Sequence, residues 1–199
     1  MSERITIAPR QKVPRVNTRI KNSTKPGFVT SEPQFYRCEH CHRLLINENY
    51  IGENQSSDEI GIRCCHAWMT KLIAHATSDD QAIEHQVSMV ISGGFDANVI
   101  TIQVGEPAHP MQADHALQWI YLHTFQGGQI KFIPPSKTPA TDQSKVENKT
   151  VAIFALSDSD AYVYCDRRVC KGNQCKFNCK RGFTAYAYCN LHGLWKTTM

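Results

Sequence analysis

The chain has 199 residues, a net charge of +4, and 41% hydrophobic and 20% charged side chains. That length suits one ordinary domain or one domain with a small appendage, and the composition is globular, which argues against a disordered or fibrous chain. No apolar run approaches the roughly 20 residues that span a bilayer as a helix, and the opening MSERITIAPRQK has no apolar signal segment, so a soluble, cytoplasmic protein is expected.

The charge is concentrated at the start. Residues 1–33 carry seven basic side chains against Glu3 and Glu32, and include Pro9, Pro14, Pro26 and Pro33. The prolines interrupt any helix and no apolar period is sustained, so a basic, disordered or extended tail is predicted.

A cysteine module follows over residues 34–76. "YRCEHCH" and "IRCCH" place Cys38-x2-Cys41 and, after 22 intervening residues, adjacent Cys64 and Cys65. A C-x2-C turn brings two thiolates to one metal, and a second pair from a facing hairpin closes a tetrahedron. Neighbouring side chains on a strand point to opposite faces, so Cys64 and Cys65 share one ion only if the backbone kinks there. Four sulfurs suit iron or zinc, and spacing does not separate the two. A small zinc ribbon competes on this segment alone. His40, His42 and His66 are read as solvated neighbours, because four thiolates already complete the shell.

The polar stretch HATSDDQAIE, residues 75–84, reads as a linker, with His75 an ordinary member of it. Residues 77–199 then read as a β-domain. "VSMVI" precedes a Ser92-Gly93-Gly94 turn signal, and "NVITIQV" alternates Ile100, Ile102 and Val104 on one face. "ALQWIYLHTF" alternates Leu117, Trp119 and Tyr121, and Gly127-Gly128 leads into "QIKFI", a hairpin signature. His123 is read as a sheet residue. "KTVAIFAL" and "TAYAYC" add two more strands. Several short strands with turn signals and little helical period predict an all-β sandwich. The proline-rich polar stretch before "KTVAIFAL" is a surface loop.

The remaining cysteines are Cys165, Cys170, Cys175 and Cys179, spaced C-x4-C-x4-C-x3-C, and Cys189. Nine cysteines without a signal segment favour metal or redox chemistry over a disulfide framework. "YCNLHGLW" sets Cys189 three residues before His192. His85, His109 and His115 are the available partners. Each alone is an ordinary surface or satisfied histidine; together with Cys189 and His192 they make four imidazoles and one thiolate.

At this point the chain resembles a known family. "FYRCEHC…IRCCHAWM" looks like the desulforedoxin module, and "EHQVSMVISGG…VITIQVGEPAHPMQADHALQWIYL…YCNLHGLWK" looks like the catalytic, neelaredoxin-like domain of superoxide reductase. Together they resemble the two-iron form, desulfoferrodoxin, over about residues 35–157 and 184–196. The resemblance implies an immunoglobulin-like β-sandwich. It implies a first iron on Cys38, Cys41, Cys64 and Cys65, with zinc an alternative there. It implies a catalytic iron with His85, His109, His115 and His192 in the equatorial plane and Cys189 axial. The implied activity is that of an oxidoreductase acting on superoxide: one-electron reduction to hydrogen peroxide, without O2 release, in oxidative-stress defence. An external donor such as rubredoxin or another small redox protein, and a homodimer, are implied as partners.

Two departures stand out. The family often carries Glu-Lys before the first histidine, the lysine drawing in superoxide; here the positions read Ile83-Glu84-His85. Glu84 repels an anion or itself caps the iron, and Lys131 and Lys196 are the replacement cations left by elimination. The second departure is the insertion at about 161–183, "AYVYCDRRVCKGNQCKFNCKRGF". It is expected as a cationic hairpin near the active site, with Cys165, Cys170, Cys175 and Cys179 a possible third metal site, two disulfides or four thiols. Cys165 lies in a faint repeat of the Cys189 segment but has Arg168 where a histidine would be needed. The competing reading is a non-catalytic zinc-binding or nucleic-acid-binding protein. It leaves the four histidines without a shared purpose, and the tail lacks interleaved aromatics for base stacking.

Overall fold

The computed structural model describes residues 28–49, 61–76, 83–92, 99–112, 114–134, 150–156, 160, 162–163 and 180–199. The cysteine module contains β1 (Gln34–Arg37), β2 (Leu44–Asn47), β3 (Arg63–Cys64), β4 (Ala67–Trp68) and β5 (Thr70–Leu72). β6 (Ala74–Ala76) and a 3-10 turn (Ile83–His85) lead to β7 (Val87–Ser92), β8 (Val99–Val104), β9 (Leu117–Thr124), β10 (Gly127–Phe132) and β11 (Val151–Ala155). The chain finishes with β12 (Tyr162–Val163), β13 (Lys180–Arg181), β14 (Thr184–Cys189) and β15 (Gly193–Thr198). Among the described residues, helix is confined to 3-10 turns, and no helix is long and apolar enough to cross a membrane.

Three sheets stack in layers. The outer sheet runs β11-β8-β7 and the central one β10-β9-β14-β15-β6. Period-2 alternation builds the space between them. Val87, Met89 and Ile91 of β7, Ile100, Ile102 and Val104 of β8, and Ala152 and Phe154 of β11 meet Ile120, Leu122, Ala185 and Ala187 of the central sheet. Intervening residues of the outer sheet, such as Val90 and Ile153, face solvent. This is the two-sheet sandwich that the alternation predicts.

The third layer is the sheet β2-β1-β5 of the cysteine module. It covers the other face of the central sheet. Phe35, 1% exposed, sits among Trp119, Tyr121, Tyr186, Tyr188 and Leu194. Its ring lies 5.1 Å from Trp119 and 5.2 Å from Tyr121, the latter edge-on. The Tyr186 hydroxyl donates to Glu32 at 2.7 Å, and the Tyr121 hydroxyl to Glu48, so each tyrosine keeps a polar partner at the seam. β9 and β14 are therefore buried on both faces.

Several sequence expectations change here. Leu117, Trp119 and Tyr121 do not share a face. The register slips between Tyr188 and Cys189, so that Tyr188 pairs with Trp119 but Cys189 with Leu117. This bulge at Gln118 sends Leu117 into the inner core, while Trp119 and Tyr121 face the module. The linker 75–84 is partly structured, because Ala74–Ala76 joins the central sheet as an edge strand parallel to β15. Nor is the end of the tail free: Val29 N–H donates to Phe125 O at 3.0 Å and Ser31 N–H to Asn49 O at 2.8 Å. Residues 1–27 lie outside the described residues, as do the 93–98 turn and most of the loop before β11. In the β9–β10 hairpin, Phe125 and Gln126 make the turn, and the two glycines open β10. A Cβ on Gly128 would fall 1.7 Å from the Tyr121 hydroxyl, so only glycine lets that ring lie across β10.

The insertion is a hairpin at its base: Tyr162 pairs with Arg181 and Val163 with Lys180. Its cysteines lie outside the described residues. The base leaves beside Thr184, at the opposite end of β14 from Cys189. Five residue steps of strand separate the two ends, about 17 Å. The insertion is thus rooted at the far end of β14 from Cys189, while its body, residues 164–179, lies outside the described residues, and with it the expected approach to the active site.

Candidate metal centres

Cys38, Cys41, Cys64 and Cys65 converge, with all four sulfurs within 4.8 Å of one another. Cys41 and Cys64 Sγ are 3.6 Å apart, and Cys64 and Cys65 Sγ 3.9 Å. Two turns achieve this. In the first, Cys41 N–H points to Cys38 Sγ at 3.5 Å, His42 N–H donates to Cys38 O, and His42 is left-handed at φ 57°. In the second, Cys64 pairs with Ala67 across a two-residue turn. Both turn residues, Cys65 (φ 51°) and His66 (φ 64°), are left-handed. Two positive φ values are the signature of the tight primed hairpin turn, and this is the kink that lets adjacent cysteines face one point. Non-glycine residues there cost on the order of 1–3 kcal/mol each, which metal binding would offset.

The thiols are electrostatically frustrated without a cation. A hydrogen bond from the Arg43 backbone, helped by the neighbouring thiols, lowers Cys41 to about 7. Its thiol neighbours, Cys41 first, push Cys65 up to about 12. A bound cation favours all four thiolates at once. His40, His42 and His66 stay outside this group, and His42 Nδ1 is engaged by Arg37 Nη2 at 2.8 Å.

The second cluster forms where three segments meet. His85 closes the 3-10 turn, His109 and His115 lie on the loop after β8, and Cys189 and His192 bracket the β14–β15 turn. The ligand atoms of His85, His115, Cys189 and His192 all lie within 4.8 Å of one another. His192 Nδ1 is 3.1 Å from both His85 Nε2 and His115 Nε2, and 3.8 Å from Cys189 Sγ. His109 is not in that set of atoms, but its ring completes a cycle. Successive centroid distances are 4.7 Å (His85–His109), 4.7 Å (His109–His115), 4.6 Å (His115–His192) and 4.7 Å (His192–His85), every pair edge-on. The result is a propeller of four imidazoles with a fully buried thiol beside it.

Local chemistry suits a divalent metal. His109 Nδ1 is 2.6 Å from Pro110 O, which fixes the ring, and its buried Nε2 has no hydrogen-bond partner. Burial pulls His109 down to about 3, so it is neutral at ordinary pH. Burial and His192 also lower His115, against Glu84 and Asp114. Neutral imidazoles are ligands, whereas imidazoliums are not. Burial raises Cys189, while the backbone N–H groups of His192 and Leu191 pull it the other way by hydrogen-bonding the thiolate. Trp195 stacks on His85 at 4.8 Å and walls off one side.

Glu84 is exposed beside His85 and outside the set of ligand atoms. It acts electrostatically on His115 and Cys189, which puts a negative group at the rim. The two substitute cations are committed elsewhere. Lys196 Nζ holds Glu32 at 2.9 Å, and Lys131 Nζ lies 5.5 Å from the Phe154 ring centroid. His75 packs against Trp195, and buried His123 meets Thr30 Oγ1 at 3.2 Å.

Two positioning residues carry no motif. Asn190 Oδ1 accepts Ala116 N–H at 2.7 Å, and its Nδ2 donates to Asp114 O at 3.0 Å. It thereby clamps the His115 segment to the Cys189 turn. Gly105 (φ +84°) is the crossing point of the His85 and His109 segments, where a Cβ would come 2.5 Å from His109 N and 2.7 Å from Glu84 O. A glycine directly after a strand that ends "ITIQV" was the available signal for the second; nothing local marked the first.

Known proteins bear on this arrangement. The desulfoferrodoxin family model matches residues 77–198. The desulfoferrodoxin of Desulfarculus baarsii is 27% identical over 165 residues, covering 82% of this chain and 94% of that one. The desulfoferrodoxin of Nitratidesulfovibrio vulgaris is 26% identical over 168 residues, covering 84% and 98%. The crystal structure of the superoxide reductase from Treponema pallidum shares the fold at TM-score 0.53 and 19% identity, over 84% of this chain and 98% of that one. The chain belongs to the desulfoferrodoxin family.

Proposed function

We propose that the chain is a superoxide reductase, an oxidoreductase that takes superoxide to hydrogen peroxide at a mononuclear iron held by His85, His109, His115, His192 and Cys189. The observation that carries this reading is the edge-on cycle of four imidazoles with a buried thiol beside it. Five donors leave one position of an octahedron for a small ligand. Ferrous iron, when bound, supplies the single electron, and with two protons superoxide becomes hydrogen peroxide and no O2 is formed. Cys189, buried beside the imidazoles, would donate sulfur electron density to an iron held there.

The chain's own residues do the rest. His109, held by Pro110 O, keeps its other nitrogen free to ligate. Leu191 and His192 N–H groups stabilise the thiolate form of Cys189. Trp195 and the inner core exclude water from the buried side. Glu84 stands at the rim and slows anion entry or caps the oxidised metal. Cys38, Cys41, Cys64 and Cys65 hold a second iron, or zinc. A small redox protein re-reduces the catalytic iron, the chain acts as a homodimer, and its thiol-rich composition suits the reducing cytoplasm.

The test is anaerobic elemental analysis joined to superoxide turnover. Two irons per chain, with superoxide consumed to hydrogen peroxide and no O2 evolved, support the reading. A third metal equivalent would fall to the insertion cysteines. Zinc alone, with no iron taken up on anaerobic reconstitution and no superoxide consumed, would sink it and leave a zinc-binding module.

A further inference from the structure

A groove of about 640 Å³ opens between the cysteine module and the central sheet. Its module wall includes Arg37 and Arg43, and its opposite wall Trp119, Phe132 and Ile133, with Asn190 at one end. Among the described residues no carboxylate lines it, while two arginines and a histidine do. Phe132 is 68% exposed, a large aromatic left uncovered at the mouth. The volume falls within the range of small-molecule sites, which pair apolar walls with a few convergent polar groups.

Arg37 is the unusual member. Its guanidinium lies 5.6 Å from the Tyr188 ring centroid, its Nη2 meets His42 and its Nη1 is 3.7 Å from Glu39. Its Nε is buried with no hydrogen-bond partner. The buried Nε leaves this guanidinium short of one hydrogen bond, while the residue lines the groove. Arg43 adds a second positive charge. It also reaches Cys64 Sγ at 4.0 Å, while Asn190 adjoins Cys189 at the other end. The groove thus runs from the surroundings of one metal cluster to those of the other.

We propose that this groove is a binding site for a planar aromatic anion, its ring against Trp119 and Phe132 and its acid group on Arg37 and Arg43. The site is independent of the superoxide chemistry. Stacking supplies the apolar part, and guanidinium fork geometry suits carboxylate, sulfonate or phosphate.

The test uses the full-length, metal-loaded chain and the fluorescent probe anilinonaphthalene sulfonate. Saturable binding of one probe per chain is expected, weakened tenfold or more in Arg37→Gln. The parent anilinonaphthalene, without the sulfonate, should compete poorly. Arg43→Gln and Phe132→Ala change exposed side chains, so they keep the test decisive if Arg37→Gln fails to fold; each should weaken the probe severalfold, Phe132→Ala at unchanged metal content. Non-saturable binding would overturn the proposal, as would equal affinity in all three variants. Binding that disappears as chain concentration rises would also overturn it, by showing that a second copy covers the groove.

Discussion

Replacing Asn190 by alanine isolates the clamp between the two loops that carry His115 and Cys189. The side chain makes two hydrogen bonds, at 2.7 Å to Ala116 N–H and 3.0 Å to Asp114 O. Each contributes about 1 kcal/mol net, except that where a donor is left orphaned in a buried site the cost of its bond is instead about 1–3 kcal/mol. Ala116 is 7% exposed, so its N–H is poorly placed to recruit water, whereas Asp114 is exposed and its carbonyl can be rehydrated. The loss is therefore about 2–4 kcal/mol, shared between fold stability and the geometry of the histidine cluster. Partners of this kind set ligand orientation, and their removal weakens metal binding roughly 10–100-fold. Anaerobic competition for Fe(II) against a chromophoric chelator measures it, with the four-cysteine site of the same molecule as internal control. Asn190→Asp keeps the oxygen acceptor and should recover part of the affinity. Iron affinity within threefold of the unaltered chain, with an unchanged melting temperature, would refute the clamp.

Three further outcomes are expected. Glu84→Lys reverses the charge at the rim and should speed superoxide capture at low ionic strength by on the order of tenfold, the gain fading in high salt; pulse radiolysis at two salt concentrations reads it, and an unchanged rate defeats the electrostatic account. Gly105→Ala places a methyl group 2.5 Å from His109 N at φ +84°, so a loss of about 2–4 kcal/mol and of iron binding should appear in denaturant titration and metal analysis; a wild-type profile would show that the loop crossing yields. Hydrogen bonds from Lys196 and then Tyr186 hold the Glu32 carboxyl below its ordinary value, so its contribution is complete above the unfolded pKa and is lost as pH falls through the folded one. Because Glu32 is 63% exposed on its side chain, the contribution is under about 1 kcal/mol; Glu32→Gln should lower stability at pH 7 by no more than that and flatten the acid limb of a denaturation series, and an unaltered acid limb would remove the contact from the account.

The outer sheet was legible because one of its faces is wet. Val87, Met89 and Ile91 alternate with exposed Ser88 and Val90, so the period can be read directly. β9 was misread for the opposite reason. Burial on both faces erases polar punctuation, and the bulge at Gln118 leaves no compositional trace. The cysteine and histidine groupings were visible because ligand chemistry restricts residue type; the resemblance then joined them. Asn190 was not visible, since its partners lie 74 and 76 residues away and an asparagine after a cysteine signals nothing alone. The root of the insertion depends on strand direction, which local composition does not encode.

The three-layer arrangement also bears on modularity. A cut at residue 77 looks harmless in the sequence, because it falls in a polar stretch between two recognisable units. In the folded chain it would strip β6 from the central sheet and uncover Trp119, Tyr121, Tyr186 and Tyr188, all of which are shielded by the module. An exposed aromatic face beside an open sheet edge invites association. The cysteine module is thus a cover for one face of the central sheet, and the two units share one folding fate.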